Sequence, residues 1–329
     1  MRVTKLHNNR ICNSVFLLAA FLLCFSASGQ DSFEFVVLPD TQTYVEEYPE
    51  IYLDQMQWIA ENKDRFSFAL HVGDITQNNN KEEWETAKKG FQILKGKVPF
   101  AFALGNHDMG SEPGKFADVR NTTMANQYFS PNEIPNLVES FPKGTVENLC
   151  SEFNVNGKSW MVLSLEFGPR NKTVEWANEI ISRNKDHNVI LVTHAYLFSD
   201  STLHDKEDWW QPKDYGIGKE KGEEAANNGR QLWEKLISQY ENIKMVFSGH
   251  ILKSGVGTLV STGKNGNKVY QMLANYQKGV EGSENGGNGF LRIIEVKDNT
   301  ISVKTYSPWL QKFKEQKEHN FSFTDVELQ

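Results

Sequence analysis

The chain has 329 residues, of which 39% are hydrophobic, with 42 acidic against 35 basic side chains and a net charge of −7. An acidic surface argues against bulk binding to nucleic acid or anionic membranes, so no nucleic-acid polymer is expected as a partner. The length allows one large α/β domain or two small ones.

The N-terminus carries Arg2, Lys5 and Arg10, then eleven apolar residues over 15–25, then Ser26, Ala27, Ser28 and Gly29. That order reads as a secretory signal peptide over 1–29, and its apolar run is too short to span a bilayer comfortably. The expectation is an exported protein, periplasmic or secreted. It has no integral membrane segment after cleavage, and one domain occupies 30–329. Cys24 invites lipid anchoring, but the Phe-Leu-Leu before it lacks the small residues such a site uses. Cleavage leaves 32 basic against 42 acidic residues, a charge of −10, and Cys150 as the remaining cysteine. No intrachain disulfide is then expected, and the hydrophobic core must stabilise the fold alone.

Along the chain, apolar runs of strand length recur at 33–38, 66–72, 98–104, 160–165, 188–193 and 243–248. They are continuous rather than alternating, as in strands buried on both faces. Helical spacing of apolar residues falls between several of them, at 49–63, 81–95, 173–184 and 224–240. Asn156-Gly157 and Asp298-Asn299 mark hairpins, and 268–276 reads as a further strand. Strands alternating with helices, followed by late antiparallel strands, predict an α/β fold of two sheets packed face to face with helices outside.

Each core strand ends in polar residues. Asp40-Thr41-Gln42 follows the first, Gly73-Asp74 the second and Gly105-Asn106-His107-Asp108 the third, while His194 and Gly249-His250 follow two later ones. In open α/β sheets ligands bind beyond the carboxyl ends of strands. Gly-Asp alone is a common turn, and one strand-end histidine is usually a satisfied polar residue. Together the five strand ends deliver carboxylate, amide oxygen and imidazole to one rim, a donor set that suits a metal of borderline hardness.

In this order the motifs resemble those of the calcineurin-like metallophosphoesterases: Asp-x-His, Gly-Asp, Gly-Asn-His-Asp/Glu, a lone His and Gly-His-x-His. The resemblance runs from Asp40 to about Leu252. It implies a four-layer α/β/β/α sandwich, two packed mixed β-sheets flanked by helices. It also implies one or two divalent metal ions (Mn, Fe, Zn or Mg), with Asp74 bridging and Asn106, His194 and His250 completing one site. The second site would use Asp40 and Asp74, but Gln42 and Leu252 stand where the family has two histidines. Gln can ligate through its carbonyl oxygen and Leu cannot, so this site keeps at most three protein ligands. His107 matches the family residue that meets substrate, with Asp108 expected to hold its ring.

The implied activity is an exported phosphoesterase that hydrolyses a small phosphomonoester or phosphodiester by metal-activated water. The alternative is a catalytically impaired metal-containing binding protein on the same scaffold. No G-x-S-x-G elbow, H-E-x-x-H or Walker A run supports another hydrolase. Around the site, Tyr196, Trp209 and Trp210 lie in an aromatic segment after His194 and either stack on substrate or pin a long loop. Arg170 either forks onto a phosphate or forms an ion pair. Asn275 and Gln277 lie where they could reach the rim. His71 reads as a core histidine. Oligomeric state is not legible.

Overall fold

The computed structural model describes Met1 and residues 32–205 and 207–329. Apart from Met1, the segment read as a signal peptide, Cys24 included, lies outside the described residues. Residues 31–329 form one compact unit. No helix among the described residues is long and apolar enough to cross a membrane.

The first apolar run forms β1 (Ser32–Leu38), and Asp40 follows it. Helices α1 (Gln42–Glu47) and α2 (Pro49–Glu61) lead to β2 (Phe66–His71), and α3 (Lys81–Leu94) leads to β3 (Phe100–Phe102). Then come α4 (Thr123–Tyr128), β4 (Leu137–Phe141), β5 (Asn148–Val155) and β6 (Lys158–Leu165). Helix α5 (Asn171–Arg183) precedes β7 (Asn188–Thr193), and α6 (Gly229–Lys235) precedes β8 (Ile243–Ser248). The chain closes with β9 (Val256–Thr262), β10 (Lys268–Ala274), β11 (Leu291–Lys297), β12 (Thr300–Ser307), β13 (Lys312–Phe313) and β14 (Asn320–Phe323).

One sheet runs β13-β12-β11-β1-β2-β3, with β14 also on β12, and the other runs β4-β5-β6-β7-β8-β10-β9. Strands β1, β2 and β3 are mutually parallel, as are β6, β7, β8 and β10. Strand periodicity explains the continuous apolar runs. In β1, Phe33, Phe35 and Val37 point into the core between the sheets, while Val36 and Leu38 face α2 and α3. In β6, Trp160 and Val162 enter the same inter-sheet core, and Met161, Leu163 and Leu165 face α5 and α6. The result is the expected α/β/β/α sandwich.

Two expected elements are shorter than their sequence patterns. Only Phe100–Phe102 of the 98–104 run forms a strand; Pro99 has no N–H to donate, and β3 lies at the edge of its sheet. The helix expected over 224–240 begins only at Gly229. Asn228 accepts from Gln231 N–H and Gln231 Oε1 accepts from Asn228 N–H, a capping box that starts the helix late. Both hairpins use left-handed residues at their turns, Asn156 (φ 54°) and Asp298 (φ 51°).

Phe35 is fully buried between the sheets, stacked on Phe68 at 4.5 Å between centroids and edge-on to Phe247 at 5.8 Å. Phe35→Ala is expected to cost about 3–5 kcal/mol. Urea unfolding should show a lowered midpoint with an unchanged slope.

Candidate metal centre and active-site cleft

The carboxyl ends of the parallel strands from both sheets meet along one rim. Asp40 follows β1, Asp74 follows β2, Asn106 follows β3, His194 follows β7 and His250 follows β8. All five side chains are at least nine-tenths buried. Asp74 Oδ2 lies 3.0 Å from His194 Nε2, which lies 3.2 Å from His250 Nδ1. One ligand atom from each of Asp74, His194 and His250 falls within a 4.8 Å span.

Glycines make this approach possible. A Cβ on Gly105 would stand 2.0 Å from Asp74 Oδ1, and one on Gly249 would stand 1.9 Å from Asp40 Oδ1. Only a residue without a side chain lets backbone pass so close to each carboxylate. Asp74 and His250 themselves adopt left-handed φ, 50° and 76°. Such non-glycine conformations cost free energy and concentrate at functional sites.

The outer nitrogens of both histidines are tied to backbone. His194 Nδ1 donates to the Val72 carbonyl at 3.0 Å, and His250 Nε2 donates to the Trp210 carbonyl at 2.8 Å. Those bonds set tautomers that leave His194 Nε2 and His250 Nδ1 facing the centre. Asn106 Oδ1 and Gln42 Oε1 are buried without a hydrogen-bond partner. Asp40 accepts from His250 N–H at 2.9 Å, Asn275 Nδ2 at 2.8 Å and Gln277 Nε2 at 3.3 Å. Burial, reinforced by the nearby charge of Asp74, still pushes its carboxyl up to about 8. Burial would also raise Asp74, but the His194 cation beside it overrides this and holds it below the usual carboxylate range. Burial opposes the charge on His194, yet Asp74 and Asp40 lift it to about 9. Buried carboxylates, orphaned amide oxygens and inward imidazole nitrogens together fit a divalent cation, which would take the place of the proton that His194 otherwise holds.

The flanking residues require four corrections. Asp108 does not hold the His107 ring. It accepts N–H bonds from Gly105, Ile75 and Thr76 and clamps the two loops together, while His107 Nδ1 donates to the Gln77 carbonyl at 2.7 Å. Arg170 is buried away from the cleft. Its guanidinium is shared by Glu166 (2.8 Å), Glu147 (2.6 Å) and Glu224 (3.4 Å), because it closes a network anchored on the fully buried Glu166. Tyr196 is fully buried and donates to Gln271 Oε1. Trp209 packs edge-on against Phe198, so of the two tryptophans only Trp210 lines the cleft. No sequence signal marks the Gln77 and Trp210 carbonyls, which are backbone groups, or Phe116, whose ring lies 3.9 Å from His107.

The cleft over this centre holds about 600 Å³ and is lined by Gln42, Asp74, Asn106, His107, His250 and Leu252, with Phe116, Trp210 and Tyr215 among its outer residues. The family model for calcineurin-like phosphoesterases matches residues 33–254. The chain belongs to this family. Among its relatives, the uncharacterised YvnB of Bacillus subtilis is 26% identical over 91% of this chain. A probable glycerophosphodiester phosphodiesterase, GpdQ of Arcobacter nitrofigilis, is 24% identical over 57%. The chain spans 21% of the first relative and 58% of the second. A purple acid phosphatase from yellow lupin superposes over 90% of this chain and 54% of its own, with a TM-score of 0.55 at 11% identity, which shows the shared fold.

Glu166 is fully buried, with Arg170 Nε at 2.8 Å and Arg120 Nη1 at 3.3 Å. Burial would raise its pKa, but the two guanidiniums outweigh this and hold it below the ordinary 4.5. A depressed carboxylate contributes stability above its unfolded pKa and loses it as pH falls through the folded value. Glu166→Gln is therefore expected to cost about 3–5 kcal/mol at pH 7, because two buried cations each lose their most deeply buried partner. Below about pH 4.5 the difference from wild type should shrink, as denaturant titrations across pH would show.

Proposed function

We propose that this phosphoesterase hydrolyses a small phosphate ester in the cleft above Asp74, using a divalent ion. The observation that carries the reading is the convergence of Asp74, His194 and His250 beside the orphaned Asn106 oxygen. These four residues would hold the ion. Asp40, Asp74 and Gln42 would form the poorer second site, since Leu252 offers no ligand atom and also lines the cleft. A bound ion would lower the pKa of a water and withdraw charge from the phosphoryl oxygen.

The chain supplies the rest. Asp74 Oδ1 accepts the His107 N–H at 3.0 Å, which fixes the His107 backbone against the metal loop. Because His107 Nδ1 donates to Gln77, the exchangeable proton of the imidazolium resides on Nε2. From there it can pass to the departing alkoxide, a contribution of roughly 10²–10⁴-fold. Asp108 serves this step by positioning, through its three backbone bonds. A cleft of about 600 Å³ suits a small organic phosphate. The basic start, short apolar run and small residues at 26–29 support export.

Metal analysis of the purified protein should find one tightly held ion per chain, with any second ion removed by mild chelation. Gly105→Ala, whose methyl would displace Asp74, should keep a cooperative fold but lose metal affinity at least tenfold in a calorimetric titration.

Turnover of p-nitrophenyl phosphate and bis(p-nitrophenyl) phosphate should require metal and vanish in Asp74→Ala. In His107→Ala it should fall by 10²-fold or more for an alkyl leaving group, and by less for nitrophenolate, which departs without a proton. A folded, metal-replete protein that turns over no ester would favour the binding-protein reading.

A further inference from the structure

The cleft that would receive a phosphate ester is poor in positive charge. Among its lining side chains Lys278 alone is a lysine or arginine, and its Nζ lies 2.7 Å from Glu47 Oε1. Arg170, the guanidinium expected to meet phosphate, is committed to three carboxylates elsewhere. Glu46, Glu47 and Asp214 stand on the rim instead. Glu46 Oε1 accepts from Asn78 Nδ2 and Asp214 Oδ2 accepts from the Gln211 N–H, both at 2.9 Å, and neither of these partners is a cation.

Aromatic rings are interleaved with these acids. Phe116 lies against His107, while the rings of Trp210 and Tyr215 lie 6.0 and 6.2 Å from the His250 ring. Trp210 is 40% exposed although its own carbonyl is tied to His250, so the backbone is fixed and the indole stays open to the cleft. Asp214 directly precedes Tyr215, which places a carboxylate between two ring-bearing positions of one loop.

Ring faces carry negative charge and attract alkylammonium groups, and adjacent carboxylates strengthen that attraction. A polyphosphate or a dianionic monoester would meet like charge on this rim. A neutral base could stack on the rings but would leave the acids unused.

We propose that the cleft selects zwitterionic phosphodiesters, in which one esterified alcohol carries an alkylammonium cation seated between Trp210, Tyr215 and Asp214. This rests on the phosphoesterase reading above. In the reaction a water oxygen bonds to phosphorus as the bond to the other alcohol breaks. That alcohol departs with a proton, leaving the phosphomonoester of the amino alcohol.

The test compares p-nitrophenyl phosphorylcholine with p-nitrophenyl 3,3-dimethylbutyl phosphate, which differ by one nitrogen-to-carbon exchange. The metal-loaded enzyme should favour the choline ester at least tenfold in kcat/KM, mainly through KM. The ratio should fall toward one in Trp210→Leu and in Asp214→Asn. Tetramethylammonium, titrated by tryptophan fluorescence, should bind wild type saturably and Trp210→Leu far more weakly. Equal turnover of the two esters overturns the proposal while leaving the hydrolase standing, and so does a preference for p-nitrophenyl thymidine 5′-phosphate. No turnover of any ester, with tetramethylammonium still bound, retains the cation subsite and sinks the hydrolase reading. Loss of both turnover and binding overturns the two together.

Discussion

Burying Asp74 beside two imidazoles is the constraint around which the rest of the centre is built. A desolvated carboxylate is tolerable only where donors and positive charge surround it. The fold meets that need by ending parallel strands from both sheets at one place, so that His194 and His250 come from one sheet and Asp74 and Asn106 from the other. Gly105 is the steric half of the same solution, because a methyl there would occupy the carboxylate's space. The inter-sheet core fixes how the two sheets meet and thereby the spacing of ligands that no local segment could set. Packing around Phe35, Phe68 and Phe247 thus bears on ligand geometry as well as on stability.

A second tier of contacts holds this arrangement from behind. Arg120 donates to the carbonyls of Phe167 and Gly168 at 2.8 and 3.1 Å and pairs with Glu166 and Glu220. The Phe167 ring lies 5.9 Å from His194 and 5.3 Å from His250, and Tyr215 packs edge-on against it at 5.1 Å. The buried ion network, the phenylalanine and the two histidines therefore form one continuous stack. Its buried charges, Glu166, Arg120 and Arg170, are dearly desolvated, but each finds more than one partner, the condition under which a buried network adds rigidity rather than strain.

The sequence exposed the parts of this design that are local. Strand-length apolar runs ending in Gly-Asp, Gly-Asn-His-Asp and Gly-His announce both the sheets and the rim, since those residues are costly at the end of a buried strand unless something satisfies them. The two hairpin turns were equally plain. Roles that depend on tertiary approach were not legible. Arg170 follows a core strand in sequence just as a phosphate ligand would, and only the folded positions of Glu147 and Glu224 show where its guanidinium goes. Asp108 adjoins His107 in the chain, yet the 3₁₀ turn over 106–108 sends the two side chains to different partners, one to backbone amides and the other to the Gln77 carbonyl. In the aromatic segment 195–216, spacing could not separate Tyr196, sealed in the core, from Trp210, open to the cleft.

The balance of charge across the cleft ties these observations together. Phosphate chemistry requires positive charge at phosphorus, and in this chain Arg120 and Arg170 pair with Glu166, while Lys278, in the cleft lining, pairs with Glu47. In the proposed reaction, positive charge at the reacting atom would come from an ion held by Asp74, Asn106, His194 and His250, with His107 supplying the proton. An ester bearing a single negative charge needs no more than that. Acids on the rim would be a defect for a more highly charged substrate, but for one that brings its own cation they complete the neutralisation at the far end of the molecule. On the proposed reading, Gln42 and Leu252 at the second site point the same way, since Leu252 lines the cleft and offers no ligand atom. A centre with one strong metal site would offer less charge to a dianion, and the loss would be tolerable for a substrate close to neutral overall, as proposed above.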